Sequence, residues 1–245
     1  MNACIVVPLF FAKRRRTFNN ADDVLELAKY TADVYRNLDT GVPTDIIFVN
    51  NSPKEAVGTN FLNSIDGDDS FSGKFIVIEG DNIGMSFGAY NTAFKTFTDR
   101  YDLWCFTEDD IIYTGKDFLL KAFNQLNDNQ NIGFIATCGL HRGQNSHCDA
   151  GAGCTTSDKL LEVVKKYGRL PHSNRVANLT DNAEYKREQI MKGEVAFTNC
   201  YQKMGYSMAM INCEDRPFIR WSGSDSETLN KIDLQWWGTT ESVNE

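Results

Sequence analysis

The chain has little of what nucleic-acid binding or membrane insertion requires. Its 245 residues carry 33 acidic and 25 basic side chains, a formal net charge of −8. Counterion release on a nucleic acid needs a basic face that this balance does not supply. No apolar run is long enough to span a bilayer, and no signal peptide precedes the first predicted strand. We therefore expect a cytoplasmic protein with no membrane span and no nucleic-acid partner.

Two phosphate-binding fingerprints are also missing. The chain contains neither the GxGxxG pattern of dinucleotide-binding folds nor the GxxxxGKS pattern of phosphate-binding loops. Both motifs depend on glycines that let backbone amides approach a phosphate. Their absence argues against a Rossmann dehydrogenase and against a P-loop enzyme.

The seven cysteines form no metal-binding or disulfide pattern. Their number is odd, and several lie in apolar, strand-like runs, which favours free buried thiols in a reducing compartment. Cys148 and Cys154 lie near His147 in the chain, but no CxxC spacing accompanies them. A structural zinc site is therefore not predicted.

Short β-rich runs alternate with longer helical patterns over about the first 140 residues, which is typical of βαβ units and a largely parallel sheet. We predict an α/β fold in one domain, residues 1–245, with halves at 1–140 and 141–215 and a tail at 216–245. The predicted strands are 3–9, 45–49, 74–79, 103–106, 132–138 and 206–211, and the predicted helices are 21–38, 116–126, 157–167, one after Gly84 and one or two within 182–204.

Two segments are predicted to be irregular. Residues 139–156 are rich in Gly, Asn, Ser, His and Cys without periodicity, which is typical of a lid or a mobile functional loop. The helix that follows has Ser157 as its predicted cap and Gly168 at its end. Residues 215–245 are predicted as an irregular tail.

Three adjacent carboxylates end the fourth predicted strand. The apolar run Leu103–Phe106 leads through Thr107 into Glu108, Asp109 and Asp110. Neighbouring carboxylates repel one another and are costly to desolvate, so a cluster at the end of a core strand indicates a bound cation. Oxygen ligands alone favour Mg²⁺ or Mn²⁺, and such a cation commonly binds a diphosphate.

Other polar or small strand exits are predicted to share this edge. In open α/β sheets ligands bind outside the carboxyl ends of the strands. This rule places residues 8–11, 50–53, 81–84 and 108–110 along one edge and predicts a nucleotide pocket there.

Five segments of the chain resemble the GT-A fold glycosyltransferases that use nucleotide sugars, and are similar to the inverting, family-2 type. The segments are IVVPLFF from Ile5, DIIFVNNSP from Asp45, EGDNIGMSFGAYNTAF from Glu79, the acidic cluster, and GEVAFTNCYQKMGYSMAM from Gly193. The resemblance implies a transferase that moves a sugar from a nucleoside-diphosphate sugar, with UDP-sugar favoured, to a glycan, protein or lipid-linked hydroxyl. It implies Mn²⁺ or Mg²⁺ as cofactor, with donor binding in residues 1–140 and acceptor binding and catalysis in 141–215.

The resemblance also implies which strand exits contact the donor. The implied donor contacts are Pro8, Leu9, Phe10, Asn50, Asn82 and Gly84. The family usually has acids where Asn50 and Asn51 stand, although an Asn side chain can still pair with a uracil edge. Gly84 and Gly88 would let the N-terminus of the following helix approach the donor, where backbone amides favour phosphate.

In the acidic cluster, the resemblance makes Asp110 a metal ligand together with Glu108, and places Glu108 or Asp109 against the ribose or sugar. It makes Glu194 the general base, with Gly193 replacing the preceding acid and Glu standing where Asp is more usual. From the residues alone, Glu194 is also consistent with an acid that stabilises a helix dipole. That alternative stays open.

Two other functions stay open as well. A nucleotidyltransferase would carry a Gly-rich basic loop after the first strand, where this chain has the basic run 13–16 without a glycine. A non-catalytic sugar- or nucleotide-binding domain of a larger transferase is the second alternative. Further candidates for contacts are His141 and Arg142 for the diphosphate or acceptor, His172 and Asp215 as additional metal ligands, and Trp221, Trp236 and Trp237 for stacking on a sugar.

Overall fold

Apolar strands and amphipathic helices build a seven-stranded sheet that is covered by helices on both faces. The structure, a computed structural model, describes residues 1–11, 21–53, 56–141, 146–176 and 187–220. The strands are β1 (Ala3–Leu9), β2 (Thr44–Asn50), β3 (Phe75–Glu79), β4 (Leu103–Phe106), β5 (Ile111–Tyr113), β6 (Ile132–Ala136), β7 (Leu140–His141), β8 (His147–Cys148), β9 (Gly153–Thr156), β10 (Ser207–Met210) and β11 (Phe218–Arg220). The helices are α1 (Ala21–Arg36), α2 (Thr59–Ile65), α3 (Met85–Thr96), α4 (Phe118–Asp128), α5 (Ser157–Tyr167) and α6 (Ala196–Lys203), with a 3₁₀ turn at Asp149–Gly151 and a π-helix at Ile190–Val195.

The strand order of the main sheet is β3-β2-β1-β4-β9-β6-β10. All neighbouring pairs are parallel except those of β9, which runs antiparallel to both β4 and β6. The prediction of an α/β fold with a mostly parallel sheet is confirmed. The carboxyl ends of six strands therefore meet at one edge of the sheet, and β9 begins at that same edge.

The sheet separates two apolar cores because successive strand residues point to opposite faces. Ile5 and Val7 of β1 face α1, α2 and α4, whereas Cys4 and Val6 face α3, α5 and α6. Every residue of β1, β4 and β6 is buried. Such continuous burial is expected of parallel strands with helices on both faces.

The boundaries of several elements follow the sequence closely. Strand β1 matches its predicted range, and α5 ends where Gly168 adopts a left-handed conformation (φ 79°) and donates its N–H to the Val164 carbonyl. That geometry is the usual glycine stop of a helix. Ser157 is the first residue of α5 rather than its cap, because Thr156 takes the capping position.

Both segments predicted to be irregular contain regular structure. Residues 139–156 hold β7, β8, the 3₁₀ turn and the central strand β9, and the predicted irregular tail holds β11. Strand β9 begins with Gly153, a residue that weakens the strand signal in a sequence. The fold requires a glycine there, because a Cβ on Gly153 would lie 2.1 Å from the Ile135 carbonyl oxygen. The basic run 13–16, Arg142 and Trp221, Trp236 and Trp237 lie outside the described residues.

All seven cysteines lie within the described residues, and all are free and buried, as predicted. Among the described residues, no helix combines the length and apolar character needed to cross a membrane.

Candidate functional site

The strand exits are joined to one another at the carboxyl edge of the sheet. The Asn51 N–H donates to the Leu9 carbonyl (2.9 Å), the Gly80 N–H to the Asn50 carbonyl (2.9 Å) and the Thr107 N–H to the Val6 carbonyl (3.2 Å). The backbone segments at the carboxyl ends of β1, β2, β3 and β4 are thus linked to one another along this edge. They include the three segments predicted to bind the donor and the acidic cluster.

Asn50 is committed to bonds within the protein. Its side chain donates to both carboxylate oxygens of Glu79 (3.3 Å each), and its Oδ1 accepts the Ser52 N–H (3.1 Å). The residue is only 1% exposed, so it shapes the turn after β2. Pro8 and Leu9 are buried beside it and Phe10 is half-buried. Donor contact by these four residues stays a prediction.

The loop before α3 is shaped by close backbone packing. Gly84 has a left-handed conformation (φ 77°), and a Cβ there would lie 2.7 Å from His172 Nδ1 and 2.8 Å from the Ser173 carbonyl. Asn82 is also left-handed (φ 56°) and half-buried. A Cβ on Gly88 would lie 1.6 Å from the Ile83 carbonyl. These glycines are therefore required by the protein's own packing, and donor contact by Asn82 and Gly84 stays a prediction.

Residues 107–110, which we call the acidic turn, connect β4 to β5. The buried Thr107 donates its hydroxyl to the Ile111 carbonyl (2.7 Å), and its own carbonyl accepts the Tyr90 hydroxyl (2.8 Å). Glu108 accepts the hydroxyl of Ser86, in the first turn of α3 (2.5 Å). Burial raises the pKa of Tyr90, and the charges of Glu108 and Asp109 raise it further. The turn is thus fixed through its backbone, while the Glu108 carboxylate contacts the start of α3.

Asp110 is paired with an arginine that sequence reasoning did not single out. Arg220 Nε lies 3.5 Å from Asp110 Oδ2, and the side chains are 44% and 13% exposed. Arg220 belongs to β11, which pairs antiparallel with β5 and sets Arg220 opposite Ile111. Burial lowers the pKa of Arg220, but Asp110 and Glu108 outweigh it and the net pKa is raised. A permanent positive charge therefore lies at the acidic turn.

Glu194 lies in the π-helix, on a face that holds a neighbouring segment in place. Three side chains of this helical stretch bind alternate backbone positions: Glu194 Oε1 accepts the Ala150 N–H (2.9 Å), Thr198 Oγ1 accepts the Cys148 N–H (3.0 Å) and Asn199 Nδ2 donates to the Ser146 carbonyl (3.1 Å). Glu194 is half-buried. One of its carboxylate oxygens is thus used structurally, and its role as a base stays a prediction.

The segment that Glu194 holds is part of what we call the histidine hairpin, residues 139–152, described at 139–141 and 146–152. It leaves the sheet after β6 and returns as β9 at the same edge as the acidic turn. His141 and His147 are directly opposite each other in β7 and β8, with ring centroids 4.6 Å apart. His141 Nε2 also forms a short hydrogen bond with Asp149. Ligand atoms of His141, His147 and Asp149 all lie within 4.8 Å of one another.

The acidic turn and α6, which follows the π-helix directly, pack on the same aromatic cluster. Phe197 packs against Tyr90 (5.4 Å between centroids), Phe106 (5.2 Å) and Phe87 (5.6 Å). The pKa of Cys138 also indicates that the acidic turn and the hairpin are close to each other. Burial raises the pKa of Cys138, Arg220 lowers it, and both Asp110 and Asp149 raise it, so charges from the turn and the hairpin reach one thiol. The side chains of the acidic turn and those of the histidine hairpin therefore belong to one region of the molecule.

The two predicted additional metal ligands, His172 and Asp215, have different local surroundings. His172 packs against Gly84, its Nδ1–H donates to the Ser173 carbonyl (2.7 Å), and burial lowers its pKa. Asp215 is exposed in the segment before β11. Sequence reasoning named His141 as a contact residue but missed Arg220, Asp149 and the pairing of His141 with His147. Only the hairpin register and the β5–β11 pairing bring these residues to their partners.

Comparison of the whole chain with solved structures identifies the fold. The chain superposes on a mannosyltransferase from Pyrobaculum calidifontis, solved with GDP-Man and Mn²⁺, with a TM-score of 0.55 and 13% sequence identity over 85% of this chain and 54% of that one. The fold is that of the nucleotide-diphospho-sugar transferases. The chain spans about half the length of the mannosyltransferase. At this identity the likeness shows the fold alone.

Two further matches have lower scores. A glucose-1-phosphate thymidylyltransferase-like protein from Bacillus anthracis, solved with sucrose, gives a TM-score of 0.47 at 11% identity over 93% of this chain and 92% of that one. A 4-diphosphocytidyl-2C-methyl-D-erythritol synthase from Anaerococcus prevotii gives 0.44 at 12% identity over 94% of both chains. No family model matches the sequence, and no curated protein matches it.

Proposed function

We propose that this chain is an inverting glycosyltransferase that uses a nucleoside-diphosphate sugar as donor and a hydroxyl group as acceptor. The observation that carries the proposal is the acidic turn with its attached Arg220, located at the carboxyl edge of a sheet whose fold is shared with a mannosyltransferase. Carboxylates and a fixed guanidinium at one strand exit can together bind a diphosphate and its cation.

The residues of the acidic turn suit Mn²⁺ or Mg²⁺. Asp110 and Glu108 offer carboxylate oxygens, the ligand type that both ions prefer. Arg220 Nε lies 3.5 Å from Asp110 Oδ2, beside the proposed position of the cation. A bound divalent ion would neutralise the charge that develops on the departing diphosphate.

Arg220 supplies a second positive charge that does not depend on the ion. A guanidinium forms strong, directional hydrogen bonds to phosphate oxygens. Since β11 fixes Arg220 beside Asp110, the leaving diphosphate would meet a preorganised cation in the transition state. Asp109 lies in the same turn and is buried; its contact with the ribose or sugar is proposed from the sequence resemblance alone.

Glu194 takes the role of general base in this proposal. Oε1 accepts the Ala150 N–H, so the second oxygen, Oε2, is available for an acceptor hydroxyl. As the acceptor oxygen attacks the anomeric carbon, the bond from that carbon to the diphosphate breaks and the proton passes to Glu194. Attack opposite to the leaving group inverts the configuration. General-base help of this kind contributes about 10²–10⁴-fold.

UDP is the nucleotide that the sequence resemblance favours, whereas the mannosyltransferase neighbour was solved with GDP-Man. Binding should therefore be measured for UDP and GDP, each with Mn²⁺ and with EDTA, by thermal shift. A ligand at a hundred times its dissociation constant adds about 2.7 kcal/mol. For a chain of this size the midpoint should rise by about 5–10 °C.

The variant Asp110→Asn should lose the shift that requires Mn²⁺. The matched control is Asp68→Asn, because Asp68 pairs with Arg36 (3.0 Å) at the opposite edge of the sheet. The control should bind like the unmodified protein. A metal-dependent shift that survives in Asp110→Asn would refute the metal assignment, and no shift with either nucleotide would refute the proposed function.

A further inference from the structure

We propose that His141, His147 and Asp149 form a second cation site, which binds one divalent transition-metal ion, with Zn²⁺ as the best fit. This inference stands independently of the proposed function. It rests on the geometry of the histidine hairpin, on the way the π-helix and α6 hold that hairpin, and on the chemistry of the three ligands.

The hairpin register brings the two imidazoles together. His141 and His147 are a directly opposed pair of the β7–β8 ladder, and the side chains of such a pair lie on the same face with Cβ atoms about 4.5–5.5 Å apart. Their rings are nearly parallel, with an angle of 17° between planes. Because imidazole lone pairs lie in the ring plane, a rotation of the rings about their Cβ–Cγ bonds would be needed to direct one nitrogen of each to a common point.

Asp149 completes the set from the start of the 3₁₀ turn. Its carboxylate contacts His141 Nε2, and the ligand atoms of the three residues lie within 4.8 Å of one another. Bonds from zinc to nitrogen or oxygen are about 2.0–2.2 Å long, so two ligands of one ion are at most about 4.4 Å apart. Small side-chain adjustments are enough to admit an ion, which would take the place of the hydrogen between His141 and Asp149.

The protein holds this segment from the other side. The π-helix and α6 bind the backbone of residues 146, 148 and 150, which leaves the side chains of the intervening residues 147 and 149 to meet His141. Ala150 has a left-handed conformation (φ 55°), and a Cβ on Gly151 would lie 2.5 Å from Phe87. Strained backbone of this kind persists only where the surroundings determine it. The backbone that carries His147 and Asp149 is thus held in place before an ion binds.

The ligand chemistry separates this site from the acidic turn. Two imidazoles and one carboxylate suit Zn²⁺ and related first-row ions, whereas Mg²⁺ prefers oxygen ligands alone. Three protein ligands leave at least one position open, as in catalytic zinc sites. The side chain of His141 is 54% exposed, so that position is accessible to water or to an oxygen atom of a bound molecule.

Cobalt and zinc titrations test the site directly. The protein should be titrated with Co²⁺ in the presence of excess Mg²⁺, which occupies oxygen-only sites, and the visible absorption of protein-bound Co²⁺ should be followed. We expect one equivalent to bind and to be displaced by Zn²⁺. The variants His141→Ala, His147→Ala and Asp149→Asn should each weaken binding by at least about 10–100-fold, the range typical for losing even an outer partner of a metal ligand.

The third histidine of the chain is the matched control. His172 packs beside Gly84 and bonds to the Ser173 carbonyl, contacts that do not involve the three proposed ligands, and His172→Gln should bind Co²⁺ like the unmodified protein. Imidazole signals give a second readout that needs no variant, since the chain has three histidines. Zn²⁺ should shift the nuclear magnetic resonance signals of His141 and His147 and leave those of His172 in place. Unchanged affinity in His147→Ala, or equal shifts of all three histidines, would overturn the proposal.

Discussion

The acidic turn and the histidine hairpin leave the same edge of the sheet but are stabilised in different ways. The acidic turn has its backbone fixed by buried hydroxyls, and one of its carboxylates is paired with Arg220. The histidine hairpin has no such strand-borne arginine among its described contacts and is held through its backbone by the π-helix and α6. Both regions are thus held by hydrogen bonds, but the acidic turn also has an arginine paired with one of its carboxylates, and the hairpin is held through its backbone.

This difference indicates a division of labour. A charge-paired turn can exchange one ionic partner for another with little movement, which suits a group that binds a diphosphate and releases it. A packed hairpin keeps its backbone in place whether or not anything is bound. Glu194 lies at the boundary, because it supports the hairpin while its second oxygen remains available. Three substitutions test the contrast, in order of decreasing expected effect.

The largest effect is expected for Glu194→Gln, which separates the structural role of this residue from the chemical one. The amide oxygen of Gln can still accept the Ala150 N–H, so the hairpin and the melting temperature should be preserved. A neutral amide cannot take up the acceptor proton, so kcat should fall by about 10²–10⁴-fold. Steady-state kinetics with an active donor and acceptor pair measures kcat, and nucleotide titration measures donor affinity, which should not change. Full turnover in this variant would show that Glu194 only supports the hairpin.

A smaller effect is expected for Arg220→Ala, which removes the charge that organises the acidic turn. Hydrogen bonds to charged groups contribute about 1.5–3 kcal/mol, so the nucleoside diphosphate should bind about 10–100-fold more weakly with Mn²⁺ present. Isothermal titration calorimetry measures this affinity. The control Arg36→Ala removes an arginine paired with Asp68 and Asp33 at the other edge of the sheet and should bind normally. Equal losses in both variants would show that the effect is not specific to the acidic turn.

The smallest effect, on stability alone, is expected for Gly151→Ala in the histidine hairpin. Gly151 has φ 60° and its added Cβ would lie 2.5 Å from Phe87, whereas Gly168 has φ 79° with nothing within 4 Å. Gly168→Ala therefore reports backbone strain alone. Overpacking costs about 1–3 kcal/mol, so Gly151→Ala should melt several degrees below Gly168→Ala in differential scanning calorimetry. Equal melting temperatures would mean that the hairpin is not held by packing.

The sequence predicted those parts of the molecule that depend on local patterns. Strand β1 and helix α5 were found because continuous apolar character and a terminal glycine are local signals. The acidic turn was found because its carboxylates follow directly on a buried strand. The strand exits were placed on one edge because parallel topology leaves little choice once the alternation of elements is known.

The parts that sequence reasoning missed depend on partners distant in the chain. Strand β9 is short and begins with a glycine, and it becomes recognisable only between β4 and β6. Arg220 meets Asp110 across 110 residues, through a three-residue strand in a segment predicted as irregular. His141 and His147 are six residues apart, and only the hairpin register makes them neighbours. No periodicity in the sequence carries that information.

The position of Arg220 on β11, beside Asp110, would affect the order in which a metal ion and a diphosphate can bind to the acidic turn. A group tethered on a neighbouring strand has an effective concentration of about millimolar or more, so this guanidinium acts as an internal competitor for any cation that approaches the carboxylate. A bare ion must displace it without compensation. An ion that arrives together with a diphosphate gives the displaced guanidinium a new anion to bind. In the proposed function, the β5–β11 ribbon would therefore favour ion–diphosphate complexes over free metal ions.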